Sequence, residues 1–197
     1  ADTVAKVYPA VKLQTLAYDY TVVPPRNVRP AANVMIRLCH YNYCAAHPLK
    51  GCDVNKPFID QLDQWKRIAK GRITVWDYYT DFRNYLLPFP NFGSFSRDIK
   101  FYADNGVKGL FAEGNANGGA GEFAALRSWV IAQLMWDPEQ DAQQLINEFV
   151  NAVYGPAAPY IAAYIRLLHA QVKPDTHFSI WAEPYEISSL NQPAIRK

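Results

Sequence analysis

Residues 73–79 read Ile-Thr-Val-Trp-Asp-Tyr-Tyr (ITVWDYY), a short apolar run that ends abruptly in aromatic and charged groups. Three other stretches have the same form: Leu13 to Tyr20 (LQTLAYDY), Val34 to His40 (VMIRLCH) and Val107 to Asn115 (VKGLFAEGN). A continuous apolar run of this length, with no polar alternation, is the mark of a strand buried in a parallel sheet. Polar residues collected at the C-terminal ends of such strands are how a (β/α) barrel assembles its site. Eight strands close a barrel and this chain supplies four. The expected fold is therefore α/β, the C-terminal half of a (β/α)8 TIM-type barrel followed by a small helical extension.

The segments between the runs agree with that reading. Pro24-Pro25 after the first run forbid helix or central strand and give a rigid extended loop. Pro57 opens a helix (PFIDQLDQWKRIAKG) whose apolar residues Phe58, Leu62, Trp65 and Ile68–Ala69 share one face, and Gly71 stops it. SFSRDIKFYADNG reads as a second helix, capped by Ser94 or Ser96 and closed by Gly106. GEFAALRSWVIAQLMW is a strongly apolar helix, broken by Asp137-Pro138, and two more follow from Asp141 and after Gly155-Pro156. The expected organisation is a half barrel over residues 1–136, a helical extension over 137–172 and a tail of mostly coil over 173–197. The opening ADTVAKVYP reads as the middle of a helix rather than a natural N-terminus.

Composition narrows the function. Half of the 197 residues are hydrophobic and 19% are charged, which is enough to build a core. The net charge is +2, with Lys and Arg scattered, so a nucleic-acid partner has no electrostatic support. No apolar run approaches the ~20 residues of a membrane span, so no membrane partner is expected. Phe, Trp and Tyr make up 14%, which suits either thick αβ packing or the stacking of flat ligand faces.

The stretches AYDYTVVPP, RLCHYNYCAAHPL, CDVN and VWDYYTDF resemble a family of uncharacterised, glycoside-hydrolase-like bacterial proteins known only as a domain of unknown function. GVKGLFAEGN fits the same family. The EFAALRSWVIAQLMWDP and EFVNAVYGPAA helices fit it too, and they are also similar to the barrel-to-helical junction of microbial α-glucuronidases. The likeness runs over roughly residues 1 to 170. It implies a carbohydrate-active barrel acting on or binding a glycan. In barrel glycosidases the general acid commonly follows the fourth strand, which here would lie upstream of Ala1.

Glycoside hydrolysis needs two carboxyl groups, ~5–5.5 Å apart for retention and ~6.5–9.5 Å for inversion. Asp19, Asp77 and Glu113 stand at strand ends and are the candidate catalytic groups. Trp76, Tyr78 and Tyr79 can desolvate Asp77, as an acid catalyst requires, and the Gly-rich loop after Glu113 can admit substrate. Tyr18, Tyr20, Arg37, His40 and Asn115, with Trp76, Tyr78 and Tyr79, are the candidate substrate-binding residues. Arg37 lies inside an apolar run and requires a partner, either a carboxylate such as Asp77 or an acidic sugar.

Cys39, Cys44 and Cys52 with His40 and His47 are spaced C-H-x3-C-x2-H-x4-C. Three thiolates and an imidazole would complete a zinc tetrahedron. The spacing lacks the paired motifs of zinc modules, and a Cys44–Cys52 disulfide stapling the loop is the preferred reading, with no metal. Cys39 is then a small buried hydrophobe. Such a staple suits a secreted or periplasmic protein. His169 and His177 read as packing or surface residues, and no motif calls for a cofactor. A half barrel leaves one sheet face bare. Leu16, Met35, Ile36, Val75 and Leu110 are expected to need cover from a missing N-terminal half or from a second copy of the chain. The non-catalytic alternative is a carbohydrate-binding or scaffold domain that keeps the pocket without an acid/base pair.

Overall fold

The computed structural model describes residues 1–187, and the part of the tail reading that falls on 188–197 lies outside them. A six-residue helix α1 (Asp2–Val7) leads into β1 (Leu13–Ala17), β2 (Val34–Cys39), α2 (Lys56–Ala69), β3 (Ile73–Tyr78), α3 (Phe92–Asp104) and β4 (Leu110–Glu113). Three helices complete the chain: α4 (Ala124–Trp136), α5 (Ala142–Tyr154) and α6 (Ala158–His169). The four strands form one parallel sheet in the order β1-β2-β3-β4. The fold is therefore mixed α/β, with parallel strands alternating with helices from β2 onward.

Two strands are shorter than the apolar runs suggest. β1 stops at Ala17 because Asp19 takes a positive φ of 50° and Asp19–Thr21 winds into a 3₁₀ turn. Its start is held by Tyr18 and Thr21, whose backbone and hydroxyl groups bond reciprocally. Pro57 sits in the first turn of α2 as expected, and Gly71 leaves the helix at φ +66°. α3 begins earlier than Ser94 or Ser96 would place it. Asn91 is the residue before its first turn, and the Ser94 hydroxyl turns back to donate to the Asn91 carbonyl. Asp141 caps α5, accepting from the amides of Gln143 and Gln144 at 2.7 and 3.2 Å.

Successive side chains on a strand point to opposite faces. In β3, Ile73, Val75 and Asp77 are buried, whereas Thr74, Trp76 and Tyr78 are half-buried. The buried set faces α2 and α3, where Ile36, Leu38, Ile73 and Val75 pack on Phe58, Leu62, Trp65 and Tyr102. Leu110 and Ala112 lie on this side too, against a second core formed by α3, α4, α5 and α6. The register carries the other set across the sheet: Leu16 beside Arg37, Cys39 beside Trp76, Trp76 beside Phe111 and Tyr78 beside Glu113. Among the described residues no helix covers that face, and Leu16 and Phe111 are 48% and 43% exposed. The five residues expected to need cover thus divide. Ile36 and Val75 lie fully under the helices and Leu110 packs there, so the uncovered share is Leu16 and Met35.

Residues 171–187, the described part of the tail after α6, contain no helix or strand, but they are not loose. The amide of Ala45 donates to the carbonyl of Phe178 and that of Phe82 to Ile180, each at 2.8 Å. Phe178, Ala182 and Ile187 are buried with Cys44, Cys52, Leu87 and Phe89 in a third cluster.

Arg127 of α4 binds the loop after β3 to the helical layer. Its guanidinium donates to the carbonyls of Phe89 (2.6 Å) and Tyr79 (3.3 Å), to Asn91, and to Glu122 in a buried ion pair. It also lies 4.6 Å from the centre of the Phe92 ring. Burial pushes the Glu122 carboxyl up and the Arg127 guanidinium down, and their mutual attraction opposes both. Removing one partner of such a pair strands the other in a dry site. Arg127→Ala is expected to lower unfolding free energy by about 3–5 kcal/mol. Arg127→Lys should recover only part of it, since an ammonium lacks the planar fork of donors. Urea denaturation of the two variants checks this.

Candidate functional site

The C-terminal ends of the strands carry two sites, one on each face of the sheet. On the helix face, Asp77 ends β3 and is almost fully buried. One oxygen accepts from His40 Nδ1 and from the backbone amide of Tyr78, and the other accepts from the Tyr102 hydroxyl, all at 2.8 Å. His40 follows β2 on the same face and packs on Tyr43 and Phe58, with ring centres 5.1 and 4.6 Å away. His40, Asp77, Tyr79, Asn91, Ser94 and Asp98 line a small cavity of ≈ 20 Å³, the size of one water molecule. Two buried polar atoms, His40 Nε2 and the Tyr79 hydroxyl, have no hydrogen-bond partner among the described residues. The space is far too small for a sugar ring. Asp77 and His40 here hold β2, β3 and α3 together.

On the open face the side chains are larger and more accessible. Arg37 lies 5.7 Å from the centre of the Trp76 indole and 5.6 Å from the Phe111 ring. Trp76 Nε1 donates to Glu113 at 2.6 Å, which ties the ends of β3 and β4. Beyond them Tyr41 meets Tyr18, Tyr78 and Trp181 edge-on, and Phe82 packs on Tyr78 and Trp181. Burial and the neighbouring Tyr41 push the Tyr18 hydroxyl up to about 12, so it is a neutral donor at physiological pH. Asn115 lies just past β4. Its side-chain amide would lie 2.1 Å from a Cβ at Gly121, so a larger residue there needs the Asn115 side chain to swing aside. Glu113 and Asn115 also line a groove of ≈ 300 Å³ between β4 and α4.

These positions correct several expectations. Arg37 does not pair with Asp77. The two project to opposite faces, and Arg37 finds aromatic rings instead. Tyr79 is a core residue against Phe95, and its hydroxyl is held far above the usual range by burial. Tyr20 is 90% exposed and apart from both sites, and Asp19 is exposed in its turn. The expected single concave cluster therefore splits: Arg37, Trp76, Tyr78 and Glu113 share the open face, with Tyr18 at its rim, whereas His40, Asp77 and Tyr79 lie behind the sheet. Sequence reasoning missed Tyr41, Phe82 and Trp181. Trp181 sits in an apolar FSIWA run of the tail, and only the tail's return to the strand ends brings it into place.

The cysteines also depart from the preferred reading. All three are free thiols, and the Cys44–Cys52 staple is not formed. Cys39 is buried as expected, and burial pushes its thiol up to about 11, well away from nucleophile chemistry. Cys44 and Cys52 lie instead beside His47 and His177.

Asp98 of α3 gives this region a pH signature. It is 7% exposed and accepts from the Leu49 amide at 2.7 Å, and burial holds its carboxyl well above the usual range. The folded state therefore keeps a proton that the unfolded chain releases. The associated stability is fully present below about pH 4, the ordinary carboxylate range, and is lost as pH rises toward the folded value. Asp98→Asn keeps the acceptor oxygen without the charge. It should be more stable than the parent at pH 7, and the gap should close as pH falls to 4, measured by thermal unfolding across that range.

No curated protein and no solved structure matches the chain. A protein-family model described as "Domain of unknown function (DUF4838)" matches residues 1–166, which include all four strands, both faces of the sheet and most of the helical layer behind them. The chain belongs to that family.

Proposed function

We propose that this protein binds a glycan on the open face of its sheet, as one wall of a glycoside-hydrolase-like (β/α)8 barrel, and that it has no acid/base pair of its own. The observation that carries the reading is the composition of that face. Trp76, Tyr78 and Phe111 offer flat apolar surface, and Arg37 and Glu113 stand among them as a donor and an acceptor for hydroxyl and carboxylate groups. A pyranose ring has an apolar face of axial C–H groups and a polar rim, which this mixture complements. Four parallel strands in chain order, with helices on one side and these residues on the other, support the barrel-wall reading. The cover over Leu16 and Met35 would then be the other barrel half or a second copy.

The binder is favoured over the hydrolase by the carboxylates. Asp77 is closed off behind the sheet by His40 and Tyr102, and among the described residues of the four strands Glu113 is the one carboxylate on the open side. Two carboxyl groups across one cleft are the minimum for the usual glycosidase mechanisms.

Titration calorimetry with neutral and uronic-acid oligosaccharides tests the proposal. Trp76→Ala should weaken binding about tenfold, ~1.4 kcal/mol. Arg37→Gln should selectively reduce any preference for uronates. Absence of binding across the panel, or unchanged affinity in Trp76→Ala, would count against it. Aryl-glycoside turnover abolished by Glu113→Gln would replace the binder with an enzyme.

A further inference from the structure

We infer that Cys44, His47, Cys52 and His177 form a structural zinc site that fastens the C-terminal tail to the loop between β2 and α2. Their ligand atoms all lie within 4.8 Å of one another. Three of the S···N edges are 3.5 Å for Cys44 Sγ to His47 Nδ1, 3.3 Å for Cys44 Sγ to His177 Nδ1 and 3.9 Å for Cys52 Sγ to His177 Nδ1. A tetrahedron with Zn–S of about 2.3 Å and Zn–N of about 2.0–2.1 Å has S···N edges of roughly 3.6 Å. Two thiolates and two imidazoles are also the donor set that zinc prefers over harder cations.

A second observation is independent of that convergence. His47 Nε2 lies 3.0 Å from the carbonyl oxygen of Lys173. A carbonyl can only accept, so Nε2 carries the proton. In the neutral ring that leaves the Nδ1 lone pair aimed at Cys44 and the cluster. A metal-bound histidine characteristically gives its other N–H to a carbonyl or carboxylate, which fixes tautomer and orientation.

The loop is built to hold the first three ligands. Asn55 is fully buried. It accepts from the Cys44 amide at 2.9 Å and donates to the carbonyls of Cys44 and His47 at 3.1 Å. This network belongs to the protein alone and pre-forms the Cys44–His47–Cys52 half of the site. His177, by contrast, comes from 125 residues further along the chain than Cys52, is exposed, and opens onto a groove lined also by Lys173 and Pro174. That groove is an entry path for an ion.

Four protein ligands leave no open position, which marks a structural rather than a catalytic site. Its effect is to lock the tail segment that carries Trp181 onto Tyr41 and Phe82. Zinc would occupy both sulfurs, so no Cys44–Cys52 bond can form while the metal is held.

The test uses the full chain purified under reducing conditions. Elemental analysis should find one zinc per chain, and cobalt substitution should give the charge-transfer and d–d absorption of a tetrahedral thiolate site. His177→Gln changes an exposed side chain and is expected to fold. It should weaken zinc at least tenfold in chelator competition and raise amide exchange over residues 173–182. Cys39→Ala should keep full zinc. A chain that neither retains nor takes up stoichiometric zinc overturns the inference. So does a Cys44–Cys52 disulfide persisting with zinc present after reduction, a His177→Gln variant with unchanged affinity and cobalt spectrum, or zinc lost in Cys39→Ala.

Discussion

Everything in this structure depends on a sheet that the described helices cover on one side only. α2 and α3 bury Ile36, Leu38, Ile73 and Val75, and burying such side chains is worth roughly 1.5–3 kcal/mol each. Because the side-chain period of a strand is two, that burial fixes the register of every strand at once. It also dictates what stands on the other face: Leu16, Trp76 and Phe111, interleaved with the charged Arg37 and Glu113. Burying Arg37 or Glu113 unpaired is costly; Glu113 accepts from an indole N–H, whereas Arg37 lies over two rings with its buried Nε left without a hydrogen-bond partner among the described residues. The open face is the consequence of the covered one.

The second layer of order comes from long-range ties rather than from strands. Arg127 gathers the loop after β3, and Asn55 gathers the loop after β2. The Leu49 amide bonds to Asp98, and the tail returns to pair with Ala45 and Phe82. These irregular segments are the ones that surround the strand ends. Loops whose backbone groups are buried need such internal partners, since water cannot reach them. The result is that the rim of the sheet is held by polar side chains, whereas its centre is held by apolar packing.

Much of this was legible beforehand because it is local. Apolar runs located all four strands, and Pro57, Gly71, Asp141 and Gly155 placed helix ends within a residue or two. What was not legible depends on parity and on distance in the chain. Asp77 and Trp76 are adjacent in sequence, and their shared position at a strand end suggested a shared site, but the pleat sends them to opposite faces. His177 and Trp181 lay in a tail with no periodicity to read, so nothing local distinguished them from surface residues. Their roles arise only where residues 173–182 pass the loop after β2. The cysteine spacing matches no contiguous zinc motif, and the Cys44–His47–Cys52 cluster gains its fourth member, His177, from 125 residues beyond Cys52.

Strand parity also determines which side chains can meet on the open face. In the observed register Asp77 is paired with Ala112 and Tyr78 with Glu113. Paired positions in a parallel sheet project to the same face, so an acid facing Glu113 from β3 would have to stand at Trp76 or Tyr78. Both positions are aromatic. No rotamer of Asp77 reaches through the sheet, and its two oxygens are already held by His40, Tyr78 and Tyr102. A second carboxylate on the open face therefore has to come from outside β1–β4. An acid/base pair at Glu113 thus needs a group from outside the sheet, whereas Trp76, Phe111 and Arg37 already stand together on it, because the register that buries Val75 and Asp77 sends their neighbours to the open side.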